Sequence, residues 1–511
     1  MLEAGTPLAV LDVREHGEYN AAHIPGSSSL PRRLLEFRLQ RLVPCMSVQV
    51  VVVDDDGLRA GLAAQTLERM GYTNICTLEG GLKRWASEGL PTEWGMNVPS
   101  KAFGERIEVE HEVHTIHALE LEERIRGGES VLILDARTPE EYQEFCIPGG
   151  RSVPGAELAF RVGELVRSEQ PDLVVVNCAG RTRSIIGARI LQRMGVPNVV
   201  SLKNGTAGWT LAGLQLERGA DRLSLPVVGS SNLQEAEAFA ARICAEDGVQ
   251  RLSVQDLQDL VRSGACAYLV DVRTQAEYDD GHIPGFSWFP GGQAVQRADD
   301  LVAVRSAHVV FCCDGLVRAA VAASWFRQMG FPNVSIVDGG TRAWLASGPR
   351  LATGPDRVEP FGLAEARNRV PSVPAAHLDL GSTVLFFGTS REFANAHVPG
   401  SHWISRSWLE LRVGAFQADL SRPIVTTDVD ARGAALAASA LLDLGYTDVA
   451  YLDGGIRAWQ AAARPLEHGL SGVMHPPDDV VPSGLERSPA EAIEYLRWET
   501  ALAPPHGAPL S

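Results

Sequence analysis

The 511-residue chain contains no apolar run approaching the ~20 residues that a bilayer-spanning helix needs, which excludes a helical membrane span. Its first residues, Met1 Leu2 Glu3 Ala4 Gly5, lack the basic stretch leading into an apolar one that marks a secretory signal, so the expectation is a cytoplasmic location. Positive charge is also short: 46 Lys and Arg face 63 Asp and Glu, a net −17. That balance opposes nucleic-acid binding by bulk electrostatics and argues against a membrane-surface role, leaving small anions to be gathered by local arginines. The eight cysteines (Cys45, Cys76, Cys146, Cys178, Cys244, Cys266, Cys312 and Cys313) include no C-x-x-C pair and no zinc-ligand spacing. Neither a disulfide framework nor a metal site is expected, no cofactor is expected, and a reducing compartment suits a reactive thiol.

What is present is the composition of an ordinary globular protein, 45% hydrophobic and 21% charged. The length exceeds a single core, and ~150 residues per domain suggests three or four domains. Self-similarity decides the number, because one pattern occurs four times. Each copy opens on an apolar strand ending near an acid and a cation: Leu11 Asp12 Val13 Arg14, Leu134 Asp135 Ala136 Arg137, Val270 Asp271 Val272 Arg273, and the degenerate Phe387 Gly388 Thr389 Ser390. Next come Glu18 Tyr19, Glu141 Tyr142, Glu277 Tyr278 and Glu392 Phe393, then a reversal fixed by Pro25 Gly26, Pro148 Gly149, Pro284 Gly285 and Pro399 Gly400. Each copy closes on a Gly and a Trp. Trp85, Trp209, Trp344 and Trp459 stand 31 residues after Asp54, Cys178, Cys313 and Asp428, so these four positions correspond without gaps. The Trp is read as packing the last helix, and the Asp-Arg and Glu-Tyr pairs as architectural.

The most informative copy is the second. Val174 Val175 Val176 Asn177 reads as a buried parallel strand, and the apolar spacing after Ser184 reads as a helix, so Cys178 sits on the turn between them. A lone Cys after a strand is ordinarily a small apolar residue. Here the inward N–H groups of a tight turn, a helix N-terminus, Arg181 and Arg183 all favour an anion, which lowers a thiol pKa and makes a nucleophile that needs no separate base. The candidate site is therefore Cys178 as nucleophile, with Ala179, Gly180, Arg181, Thr182, Arg183 and Ser184 as the substrate-binding loop.

These residues resemble the rhodanese family, whose loop runs Cys, four residues, Arg and carries a persulfide on the Cys; the run Cys178 to Arg183 has that spacing. Related phosphatases and arsenate reductases have a loop one residue longer, sized for a tetrahedral oxyanion. The resemblance implies an α/β protein of four tandem rhodanese-like domains, each a parallel β-sheet flanked by helices on both faces. It also implies a sulfurtransferase that moves a sulfane sulfur from thiosulfate or a similar small anionic donor to a nucleophilic acceptor, cyanide or a thiol. A non-catalytic scaffold or persulfide relay is the alternative, and a phosphatase or arsenate reductase is opposed by loop length. Whether the chain forms a homo-oligomer is left open.

The expected layout is a first domain over 1–92, a linker over 93–114, a second domain over 115–219, a helical linker over 220–250, a third domain over 251–350, a fourth over 351–470 and a tail with a helix over 471–511. The 93–114 stretch, with Gly95, Pro99 and Gly104, reads as extended, and its phrase from Val98 to Glu105 resembles the connector of multidomain sulfurtransferases. The 220–250 region is expected to separate two pairs of units. Ser488 Pro489 Ala490 Glu491 is a capping box opening a terminal helix that docks by Ala492, Tyr495, Leu496 and Trp498.

Asp54 and Asp428 cannot hold a sulfane sulfur, so the first and fourth domains are expected to be inactive. Cys313 with Arg318 forms a second candidate site, weakened by Asp314 in its loop. Cys146 replaces the His of the other three turns and reads as drift at a packed turn, with a resolving thiol as the alternative. The first copy begins almost directly on its strand, Leu8 to Leu11, without the helix that precedes the strand in the second and third copies. The expectation is a start placed too late or a trimmed domain with one sheet flank open or covered.

Overall fold

The computed structural model describes residues 7–378 and 381–503, so the Met1 to Gly5 stretch read above for a signal lies outside the described residues. The second repeat shows the plan. Its central strand Leu173–Asn177 is buried along its whole length, as a continuous β-branched run in a parallel sheet must be. It pairs on one side with Val131–Asp135, which pairs with Arg151–Ser152, and on the other with Val199–Leu202, which pairs with Thr115–Ile116. All pairings are parallel, so each connection crosses over, and helices such as Gly155–Glu169 and Thr182–Met194 supply the crossovers.

The third and fourth repeats have the same five-strand order around His308–Cys312 and Ile424–Thr427. The first has four strands among the described residues: Ser28–Ser29, Leu8–Asp12, Gln49–Val53 and Ile75–Thr77. Its last strand is an edge with Cys76 and Thr77 exposed, where the corresponding Val199–Leu202 is covered by a fifth strand.

The described residues form two compact units, Pro7–Met96 with Arg357–Val481, and Asn97–Asp356 with the stretch from Pro482. The region over 220–250 therefore does not divide the chain into a first and a second pair, as the sequence suggested. Helix Ser230–Glu246 buries Ala236, Phe239, Ala240 and Ile243 and packs on helix Val317–Gln328, which ties it into the unit of the second and third repeats.

A second correction concerns 93–114, which is not an extended linker. Val98–Glu110 is a helix begun by Asn97 in the left-handed region (φ 54°), with Pro99 in its first turn and Val98, Phe103 and Ile107 buried. Pro in a first helical turn costs no hydrogen bond, so Pro99 suits the start of a helix as well as the extended stretch it suggested. Gly104, read as a loop residue, lies where this helix crosses Thr182–Met194: a Cβ there would stand 3.0 Å from Thr182 Cα. Among the described residues no helix is long and apolar enough to cross a membrane.

Candidate active site

The closing glycines explain the fixed spacing of the four repeats. Gly205 has φ +53°, and a Cβ on it would collide with the carbonyl oxygen of Cys178; Gly340 meets Cys313, Gly81 meets Asp54 and Gly455 meets Asp428 in the same way. The last helix of each repeat is thus seated on the loop that carries the active-site position. Trp209 Nε1 donates to Gln215 O at 3.0 Å, and Trp85, Trp344 and Trp459 make the equivalent bond, so the Trp fastens the chain leaving that helix.

Cys178 follows the central strand and is 2% exposed. Its Sγ lies 3.4 Å from Ser184 Oγ, and the backbone N–H groups of Gly180 and Ser184 point at it. Burial nevertheless pushes the thiol up from its ordinary value, against the downward pull of Arg183, Ser184 and those N–H groups. The expectation of a lowered pKa is corrected: in a water-poor loop, desolvation of the thiolate outweighs one partly neutralised cation.

That neutralisation is specific. Arg183 makes a bidentate pair with Glu141, 2.7 and 2.8 Å, and its guanidinium holds Glu141 down at about 2. Glu18 with Arg59 and Glu277 with Arg318 repeat the arrangement. Arg181 turns away from the thiol toward the buried connector helix, bonding Glu105 at 2.6 and 2.7 Å and also Glu108. Both loop arginines are therefore engaged by carboxylates, where the sequence reading had aimed them at the substrate. Asp135 and Arg137 form the expected tie, with Arg137 also donating to Phe145 O at 2.6 Å.

Cys178 and the loop from Ala179 to Arg183 line a cavity of about 170 Å³. Its opposite wall is formed by Lys101 of the connector helix and by Arg487, Tyr495, Leu496 and Glu499 of the C-terminal segment. Helix Pro489–Ala501 does dock by Ala492 and Leu496, but onto the Cys178 loop. Lys101 Nζ lies 4.9 and 5.0 Å from the rings of Tyr495 and Trp498, and burial lowers its amine to about 8. Sequence reading missed Lys101, Glu105, Arg487 and Glu499. Lys101 and Glu105 stood in the stretch read as extended, while Arg487 precedes, and Glu499 stands in the last turn of, a helix of which only the capping box and the apolar face were read.

The other three positions differ in what occupies the loop. Asp54 accepts from the N–H groups of Gly57 and Ala60, and Asp428 from those of Asp430, Ala431 and Ala434. In these repeats a carboxylate of the chain fills the anion cradle. Cys313 is fully buried, and its thiol is pushed up to about 11 by burial and by Asp314. Arg318 is shared among Glu277, Glu157 and Asp314, and Arg342 lies against Gly315 of the loop. Cys146 is buried beside Tyr142 in an antiparallel bridge with Glu217, where His23, His282 and His397 stack on an aromatic ring. It does not line the Cys178 cavity, and burial raises its thiol, so the packed-turn reading fits its place.

The rhodanese-like domain model matches residues 1–88, 117–212, 253–347 and 384–462, the four repeats in turn. The chain belongs to the rhodanese family. A crystal structure of a thiosulfate sulfurtransferase from Pseudomonas aeruginosa is 37% identical, with a TM-score of 0.89 over 98% of this chain and 95% of that one. A putative thiosulfate sulfurtransferase, SseB, of Mycobacterium tuberculosis is 29% identical over 195 residues, 31% of this chain and 68% of its own. A sulfurtransferase of Allochromatium vinosum is 29% identical over 104 residues, 20% of this chain and 94% of its own.

Proposed function

We propose that this rhodanese-family protein transfers a sulfane sulfur from thiosulfate, or a donor of the same anionic class, to a nucleophilic acceptor through a persulfide on Cys178. One observation carries the reading. Of the four loops, two hold their own carboxylate and one sets Asp314 beside its buried thiol, whereas the Cys178 loop has no acid of its own and lines a cavity. The same crossing of strand end and helix start is where α/β proteins bind anions.

The donor anion enters against Lys101 and Arg487, the cations that line the cavity opposite the loop. Its outer sulfur meets the Cys178 thiolate, a bond forms between the two sulfurs, and the donor's S–S bond breaks with sulfite leaving. The N–H groups of Gly180 and Ser184 hold the resulting persulfide, a charge-assisted role that a helix N-terminus performs without reorganisation. Arg183 keeps the loop cationic enough for the thiolate to form, and Arg181 anchors the loop to the connector helix.

The test is to incubate the protein with thiosulfate and map the adduct by mass spectrometry. A gain of one sulfur atom on the Cys178 peptide is expected, and Cys178→Ser abolishes thiocyanate formation with cyanide as acceptor. Sulfur found only on the Cys313 peptide would move the site to the third repeat.

A further inference from the structure

The cavity that contains Cys178 also holds a carboxyl group with an unused oxygen. Glu499, in the last turn of helix Pro489–Ala501, is 3% exposed. Its Oε1 accepts from Thr182 Oγ1 of the Cys178 loop at 3.4 Å, while its Oε2 is buried without a hydrogen-bond partner. That second oxygen faces bare backbone: a Cβ on Gly180 would stand 3.6 Å from it. Buried carboxylate oxygens are ordinarily satisfied, so an orphan aimed at a nucleophile's loop marks a place that a ligand completes.

The surrounding charges suit a group that gains and loses a proton. Glu105, Glu108 and Glu499 crowd around Arg181, with Lys101 and Arg487 on the other side. Burial raises Glu499 from its ordinary value, against the pull of Lys101 and Arg181, and brings Glu105 to about 7 despite its two bonds to Arg181. A carboxylate raised from its ordinary value is a stronger base toward a thiol proton than an exposed one.

We propose that Glu499 is the proton carrier for sulfur transfer to a small thiol, so that the acceptor half-reaction takes place between the C-terminal helix and the Cys178 loop. This rests on the Cys178 persulfide reading above. A thiol must lose its proton as its sulfur attacks, and the Glu499 carboxylate accepts it. The thiol sulfur then bonds to the outer sulfur of the persulfide, the bond from that sulfur to Cys178 Sγ breaks, and Cys178 leaves as thiolate with the electron pair. Glu499 returns the proton to the transferred sulfur, giving R–S–SH. One S–S bond forms as another breaks, with no net oxidation or reduction. Cyanide attacks as the CN⁻ ion, ionised beforehand in bulk water, and leaves as thiocyanate, whose sulfur takes no proton, so its route needs nothing from Glu499. Lys101 and Arg487 in the same wall further suit a thiol that carries a carboxylate.

The experiment uses the full chain charged with thiosulfate and two acceptors in parallel: 2-mercaptoethanol in excess, read as sulfide release, and cyanide, read as thiocyanate. Glu499→Gln keeps the size and the bond from Thr182 but cannot carry a proton. It is expected to slow the thiol route by roughly a hundredfold, and to lower the ratio of thiol to cyanide rates at least about tenfold. Glu499→Asp should recover part of the thiol rate, and Glu494→Gln, exposed on the same helix, should change neither route. An equal fall with both acceptors would reduce Glu499 to a loop-positioning residue, and no fall with either would remove it from the reaction; both outcomes overturn the proposal. If thiosulfate leaves no sulfur on Cys178 at all, the persulfide reading fails with it. Persulfide and thiocyanate formed normally, with an unchanged rate ratio in Glu499→Gln, would overturn the Glu499 assignment alone.

Discussion

Arg183 is the charge that works hardest on Cys178, and it does so while held by Glu141. Replacing it by Ala removes the cation that pulls the thiol down and strands a carboxylate, so the alkylation profile of Cys178 should move to higher pH. The donor step should slow by roughly ten- to a hundredfold, as befits one lost charge-assisted contact. Lys should restore only part, because a point charge cannot make the two-bond pair. An alkylation profile unchanged in Arg183→Ala would sink this account. The same pair sets a stability signature. Glu141 is depressed from 4.5 to about 2, so its contribution is complete above about 4.5 and is lost as pH falls through about 2. Acid unfolding followed by circular dichroism should therefore show a limb in that window, shallower in Glu141→Gln. The sequence made Cys178 and its loop legible because strand, turn and helix adjoin in the chain. It could not show that Arg181 answers to Glu105, because no local pattern links residues that meet only through a helix crossing.

At the scale of elements, the repeat was legible because its spacing is set by a collision. The last helix of each copy can approach the active-site loop only through a glycine in the left-handed region, which fixes the count from loop to Trp. The connector helix was not legible because Pro99 and Gly104 each have two readings, and only the packing partner chooses between them. Pro99 begins the helix, and Gly104 lets it cross at Thr182. Gly205→Ala and Gly195→Ala compare the two costs, since both positions have positive φ but nothing lies within 4 Å of a Cβ at Gly195. Both should lose about 1–3 kcal/mol of stability from the left-handed backbone alone. Gly205→Ala should in addition displace the Cys178 carbonyl and with it the loop. Sulfur transfer should then fall steeply in Gly205→Ala while Gly195→Ala keeps its rate, and equal rates in the two variants would show that the helix seat does not govern the loop.

For the molecule as a whole, the four copies predict one working thiol. Asp54 and Asp428 satisfy their own cradles, and neither carboxylate can carry a sulfane sulfur. The contrast between the two cysteine repeats is one of charge balance. Arg183 faces Glu141, whereas Arg318 is divided among Glu277, Glu157 and Asp314, and the thiol beside it is pushed up to about 11. Burial raises both thiols, so what separates them is Asp314, whose charge pushes Cys313 further up and repels an anionic donor before it reaches sulfur. Saturating thiosulfate should therefore load one sulfur per chain, released as one equivalent of thiocyanate by cyanide. Asp314→Ala removes a negative charge beside Cys313, which lowers that pKa and frees Arg318 in part, so a fraction of a second equivalent should appear and should survive Cys178→Ser. Two equivalents in the unaltered protein would mean that the buried charges around Arg318 do not silence the third repeat.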